Sequence, residues 1–118
     1  AQCIEPIYNE LRETLKASRY VQADETPHKV LESEKPGSLH QGYMWVFYLP
    51  HCKSPYIEYH PGRSSSALGT LLSGKTEIVQ SDGYAVYDVF DKLEGKMHLC
   101  CWAHVRRYQN YIIIKSSA

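Results

Sequence analysis

The run Gly42-Tyr43-Met44-Trp45-Val46-Phe47-Tyr48-Leu49 carries four aromatic side chains and neither a charge nor a proline. Such a stretch favours an extended chain packed on a pleated surface. Its surroundings show what it pairs with. Upstream lies a polar segment with a Pro36-Gly37 turn signal, and before that Tyr20-Val21-Gln22-Ala23-Asp24-Glu25-Thr26-Pro27, a second extended run that continues irregularly toward Leu31. Downstream, after Pro50 to Pro55, Tyr56-Ile57-Glu58-Tyr59-His60 forms a third, and Pro61-Gly62 ends it. Three successive strands with turn signals between them predict an antiparallel meander.

Helical spacing frames this meander. Ile4, Ile7, Tyr8, Leu11 and Leu15 recur on one face of a leading helix, with charged residues opposite. Ser64-Ser65-Ser66 supplies capping hydroxyls ahead of Ala67, Leu68, Leu71 and Leu72, and Ser73-Gly74 stops that second helix. The remainder alternates: strand from Glu77 to Asp82, helix from Tyr84 to Leu93, strand from Met97 to Trp102, helix from Ala103 to Tyr111. The fold class expected is α/β, a mixed sheet made of a three-strand antiparallel meander and two parallel strands, with flanking helices. At 118 residues, 43% of them hydrophobic, the chain suits one domain over 1–118, with a leading helix at 1–18, a core at 19–111 and a tail at 112–118.

Lysine plus arginine equals aspartate plus glutamate at 13 each, so any basic surface must be local. The sequence lacks an apolar run long enough to span a bilayer, which predicts a cytoplasmic protein without a membrane partner. The four cysteines, Cys3, Cys52, Cys100 and Cys101, are irregularly spaced and suit reduced thiols rather than a disulfide framework.

Side chains alternate along a strand, so Gln22 and Asp24 share one face while Glu25 points to the other; Gln80 and Asp82 share a face on a later strand. Both strands thus carry Gln-x-Asp near their ends, and parallel neighbours would bring the two carboxylates together. Converging carboxylates suit Mg²⁺ or Mn²⁺, hard cations whose remaining waters a phosphate can replace. In phosphodiester chemistry two such metals about 3.5–4 Å apart serve the attacking and leaving oxygens. The residues alone leave a plainer reading open: Asp24 as a turn residue before Thr26-Pro27, and Asp82-Gly83 as a helix cap. At the other junction, Cys101-Trp102-Ala103-His104 with Arg106 and Arg107 reads either as a packed core segment or as support for phosphate binding. Four nitrogen or sulfur ligands at zinc spacing are absent there, and no serine-hydrolase elbow, P-loop or dinucleotide fingerprint occurs. The ten tyrosines are scattered rather than arranged as a stacking platform for bases.

Taken in order, Ala23-Asp24-Glu25-Thr26-Pro27-His28-Lys29-Val30-Leu31, Gly42-Tyr43-Met44-Trp45-Val46, Ser81-Asp82-Gly83-Tyr84-Ala85-Val86-Tyr87 and Cys101-Trp102-Ala103-His104-Val105-Arg106-Arg107 resemble the insertion-sequence-66 family of bacterial transposases. The resemblance spans Ile4 to Arg107. It implies a ribonuclease-H-like fold and an Asp-Asp-Glu triad holding Mg²⁺ or Mn²⁺, which cuts DNA at transposon ends and joins the freed 3′-hydroxyls to target DNA. Asp24 matches the first acid and Asp82 the second, making them the catalytic and metal-binding residues expected. Cys101 and His104 match a Cys-x-x-His signature that lies between the second and third acids in several transposase groups. His104, Arg106 and Arg107 are candidate phosphate contacts. Partners implied are transposon-end and target DNA, together with self-association. The family's third acid falls beyond the Cys-Trp-Ala-His helix, yet no aspartate or glutamate follows Glu94. A central piece of a longer catalytic core, inactive alone, is therefore expected; a non-catalytic remnant used as a binding module and a ribonuclease-H-like nuclease are the competing readings.

Overall fold

The computed structural model describes residues 2–32, 34–72, 74–82 and 85–107. The leading helix, α1 (Glu5–Ala17), has Pro6 in its first turn, where a missing backbone N–H costs nothing. Leu15 is buried, with Tyr8 and Leu11 packed against the core. Ile4 and Ile7, expected on the same apolar face, are exposed, and the contacts of α1 with the core begin at Tyr8. A polar cluster holds it there. Arg12 Nε donates to the Tyr56 hydroxyl at 2.9 Å, which also meets the Tyr8 hydroxyl at 3.0 Å and the Glu58 carboxylate. Burial is the main cause that pushes the Tyr56 phenol up, followed by its hydrogen bond to Glu58.

The sheet has five strands in the order β3-β2-β1-β4-β5. Strand β1 (Tyr20–Leu31) pairs antiparallel with β2 (Leu39–Leu49), and β2 pairs antiparallel with β3 (Ser54–His60). This is the predicted meander. On its other side β1 pairs parallel with β4 (Ile78–Ser81), and β4 pairs parallel with β5 (Met97–Cys100). An antiparallel meander continued by two parallel strands is the ribonuclease-H-like arrangement expected from the sequence.

Strand β1 is longer and more regular than its sequence suggests. It runs through Pro27, which pairs with Tyr43, to Leu31 opposite Leu39. The reason lies in the pairing on the other side: β4 accompanies β1 only from Tyr20 to Gln22, so Pro27 stands where one edge of the strand is unpaired and a missing N–H is tolerated. Gly37, with φ 80°, turns the hairpin at the Pro36-Gly37 signal.

Helix α2 (Ser65–Leu71) begins as predicted, with Ser64 Oγ accepting from the Ala67 N–H at 3.4 Å. The helix expected from Tyr84 to Leu93 is much shorter: a 3₁₀ turn (Ala85–Tyr87) leads into α3 (Asp88–Asp91), and Tyr84 lies outside the described residues. Asp91 Oδ1 accepts the His98 backbone N–H at 2.6 Å, tying the helix end to β5. Strand β5 stops at Cys100, and residues 102–107 are helical; the predicted continuation to Tyr111, the 112–118 tail and the Ser73 helix stop lie outside the described residues. No helix among the described residues is long and apolar enough to cross a membrane.

Helices α1 and α2 and the segment from Ala85 to Asp91 pack on one face of the sheet over Val21, Ala23, Trp45, Phe47, Leu49 and Val79. Phe47 is fully buried and its ring stacks against Trp45 with centroids 6.3 Å apart. Truncating such a side chain loses transfer energy and leaves a cavity. Phe47→Ala should lower unfolding stability by about 3–5 kcal/mol in urea titration, whereas Ile57→Ala, at an exposed position of β3, should change it by less than about 0.5 kcal/mol.

Candidate active site beside the parallel pair of strands

The parallel ladder between β1 and β4 aligns Tyr20 with Ile78, Val21 with Val79 and Gln22 with Gln80. Gln22 Nε2 donates to Gln80 Oε1 at 3.0 Å, and the Tyr20 hydroxyl donates to the same oxygen at 2.5 Å. These three side chains therefore share the face of the sheet opposite the buried Val21 and Val79. Two residues beyond Gln22 and Gln80 come Asp24, inside β1 and opposite Val46 of β2, and Asp82, one residue past the end of β4 and outside the β1–β4 ladder. Asp24 is exposed and its Oδ1 accepts the Glu25 N–H at 3.0 Å; Asp82 is half-buried immediately after β4.

A cleft of about 260 Å³ opens on this face. Gln22 and Asp24 from β1, Val46 and Tyr48 from β2, and Gln80 from β4 line it, with Cys101 and His104 closing one side. Cys101 and His104, the first and last members of the Cys-Trp-Ala-His segment, line the same cleft as Asp24, whereas Asp82 is not among its lining residues. Trp102, by contrast, is 78% exposed, which removes the reading of that segment as packed core. Arg106 and Arg107 are exposed on the helical turn at 102–107 and do not line the cleft. His104 Nδ1 is shut off from solvent with no hydrogen-bond partner among the described residues.

On the opposite, core-facing side stands Glu25, as alternation predicts. Its carboxylate accepts Arg63 Nε at 2.9 Å, with Arg63 Nη2 also in contact, and accepts the Tyr87 hydroxyl at 2.7 Å. Burial is the first cause that pushes the Tyr87 phenol up, then the hydrogen bond to Glu25 and the negative charges of Glu25, Asp82 and Asp24. Tyr87 thus lies within the field of all three acids. Nothing in the sequence singles out Arg63 or Tyr87, because their partner is 38 and 62 residues away, respectively. An unpaired acid on the buried face of β1 was the one available signal that partners must exist.

The Cys101 thiol is held below the usual thiol range, chiefly by the His104 side chain and then by the backbone amides of His104 and Ala103. A depressed pKa raises the thiolate fraction at neutral pH. Alkylation of Cys101, followed by mass spectrometry across pH, should reach half its maximal rate below the value of about 8.5 for a free cysteine, and His104→Ala should move that midpoint upward. An unchanged midpoint in the variant would show that His104 does not act on the thiol.

No curated protein sequence matches the chain. A chain in the cryo-EM structure of the simian T-cell lymphotropic virus intasome in complex with PP2A regulatory subunit B56 gamma superposes with a TM-score of 0.48 at 16% identity, covering 78% of this chain and 37% of that one. The family described as "Transposase IS66 family" matches residues 1–118, the whole sequence. The chain belongs to the IS66 family of DDE transposases.

Proposed function

We propose that this chain supplies two carboxylates, Asp24 and Asp82, to a divalent-metal site that cleaves and rejoins DNA strands at insertion-sequence ends. The observation that carries this reading is the β1–β4 register, which aligns Gln22 with Gln80, each two residues before one of the acids. Family membership adds the chemistry, because a DDE transposase works on phosphodiesters. The donor set suits Mg²⁺ or Mn²⁺, since it consists of carboxylate oxygens. It is a partial set. Among the described residues no group of three His, Cys, Asp or Glu side chains could hold a metal, and no acid follows Glu94 in the sequence.

Bound divalent cations supply charge for the attacking and leaving oxygens of an in-line displacement at phosphorus. The chain's own part is to orient. Asp24, fixed by the Glu25 amide, and Asp82, at the mouth of β4, present oxygens on one face, while His104 stands across the cleft where a phosphate oxygen would need a donor. Arg106 and Arg107, exposed beyond the cleft, are placed to meet the DNA backbone at a distance from the reacting phosphate. Transposon-end and target DNA are the partners this reading requires, and the balanced net charge assigns their attraction to such local groups.

A second reading, a fold retained as a non-catalytic binding module, draws on the same partial set of acids. Metal binding separates the two. Mn²⁺ titration followed by electron paramagnetic resonance should show binding by the protein that weakens about tenfold or more in Asp24→Asn and in Asp82→Asn alike. Equal affinity in all three proteins would rule out shared ligation by the two acids.

A further inference from the structure

Each of the two acids has a chain neighbour on the opposite, buried face of the sheet, and both neighbours belong to one continuous layer of polar and aromatic groups. Beside Asp24 is Glu25, 7% exposed, whose two carboxylate oxygens are taken by Arg63 and by the Tyr87 hydroxyl. Beside Asp82 is Ser81, 2% exposed, whose Oγ donates to the Asp82 carbonyl oxygen at 2.8 Å and lies 2.7 Å from His98 Nε2. Tyr87 joins the two ends. Its ring stacks on His98 with centroids 5.4 Å apart while its hydroxyl holds Glu25.

We propose that Tyr87, with Glu25 on one side and the His98–Ser81 pair on the other, is a positioning residue that holds the chain segments bearing Asp24 and Asp82 at a fixed separation. The inference rests on the reading of those acids as metal ligands only for its consequence, not for the layer itself. Three features favour positioning over plain packing. The ladder between β1 and β4 ends at Gln22 and Gln80, so no β1–β4 pair joins the acid-bearing residues to each other, while Asp24 is paired only with Val46 of β2. Glu25 and Ser81 are each one residue from an acid, so a shift of either moves the neighbouring carboxylate directly. A buried carboxylate is expensive to keep, yet hydrophobic residues of the same size would pack this face without that cost. Satisfied polar networks of this kind specify one arrangement, because any displacement leaves a buried group unpaired. Side chains that orient ligands from behind typically change metal affinity by about 10–100-fold when removed.

Tyr87→Phe deletes the bond to Glu25 and keeps the ring over His98. The control is Tyr56→Phe, the same chemical change in the polar cluster under α1, at the far end of the sheet. Amide hydrogen exchange is read at Ser81 and at Cys101, whose N–H donates to the Ser81 carbonyl oxygen at 2.7 Å. Tyr87→Phe should speed exchange at both amides well beyond its effect on the β1–β2 hairpin and weaken Mn²⁺ about tenfold. Tyr56→Phe should do neither. Should Tyr87→Phe fail to fold, Glu25→Gln carries the same comparison. The proposal is overturned if the two tyrosine variants act alike on these amides. It is also overturned if Tyr87→Phe keeps wild-type Mn²⁺ affinity while Asp82→Asn loses it. A wild-type protein that binds no Mn²⁺ would defeat the metal reading instead, and the exchange comparison would still decide the role of Tyr87.

Discussion

Parallel pairing between β1 and β4 is the constraint on which the rest of the molecule depends. Strands that run the same way bring the same ends together, so residues equally far along each meet at one edge of the sheet. With Gln22 opposite Gln80, a slip of one residue would turn Asp82 to the buried face and Val79 to the open one. Val79 and Val21 are both fully buried, and that burial fixes the register. The hydrophobic core on one face thereby determines where the charged groups stand on the other.

The two faces divide the work. On the core side, Trp45, Phe47 and Val79 provide burial, and the Arg63–Glu25–Tyr87 contacts cross that layer without leaving the acid unpaired. On the open side lie the Gln22–Gln80 bond, the cleft and the Cys101–His104 turn. Alternation at the strand ends makes these faces dependent on each other, since Asp24 and Glu25 occupy consecutive positions of one strand and must point apart. Under the proposed metal reading, the dipeptide of two acids is a ligand next to its own support rather than a doubled ligand.

Much of this was legible in the sequence. The aromatic run around Trp45, the Pro36-Gly37 turn and the glutamines of the Gln-x-Asp repeats follow from period-two patterning and turn chemistry, which act over a few residues, and they gave the meander, its faces and the alignment of Gln22 with Gln80. What was not legible depends on contacts distant in the chain. Regular pairing through Pro27 required knowing that β4 leaves that part of β1 unaccompanied. The short α3 required the Asp91 bond to His98, and the exposure of Trp102 reversed what its size suggested. Arg63 and Tyr87 carry no local pattern at all; only the sheet brings them to Glu25.

The central claim is that Asp24 and Asp82 share a divalent cation at the open end of β1 and β4. Anomalous diffraction from crystals of the protein soaked in Mn²⁺ tests it most directly. A manganese peak within coordinating distance of both carboxylates is the result expected. A peak bound elsewhere on the molecule, or one that contacts Asp24 or Asp82 alone with the other acid turned away, would contradict it.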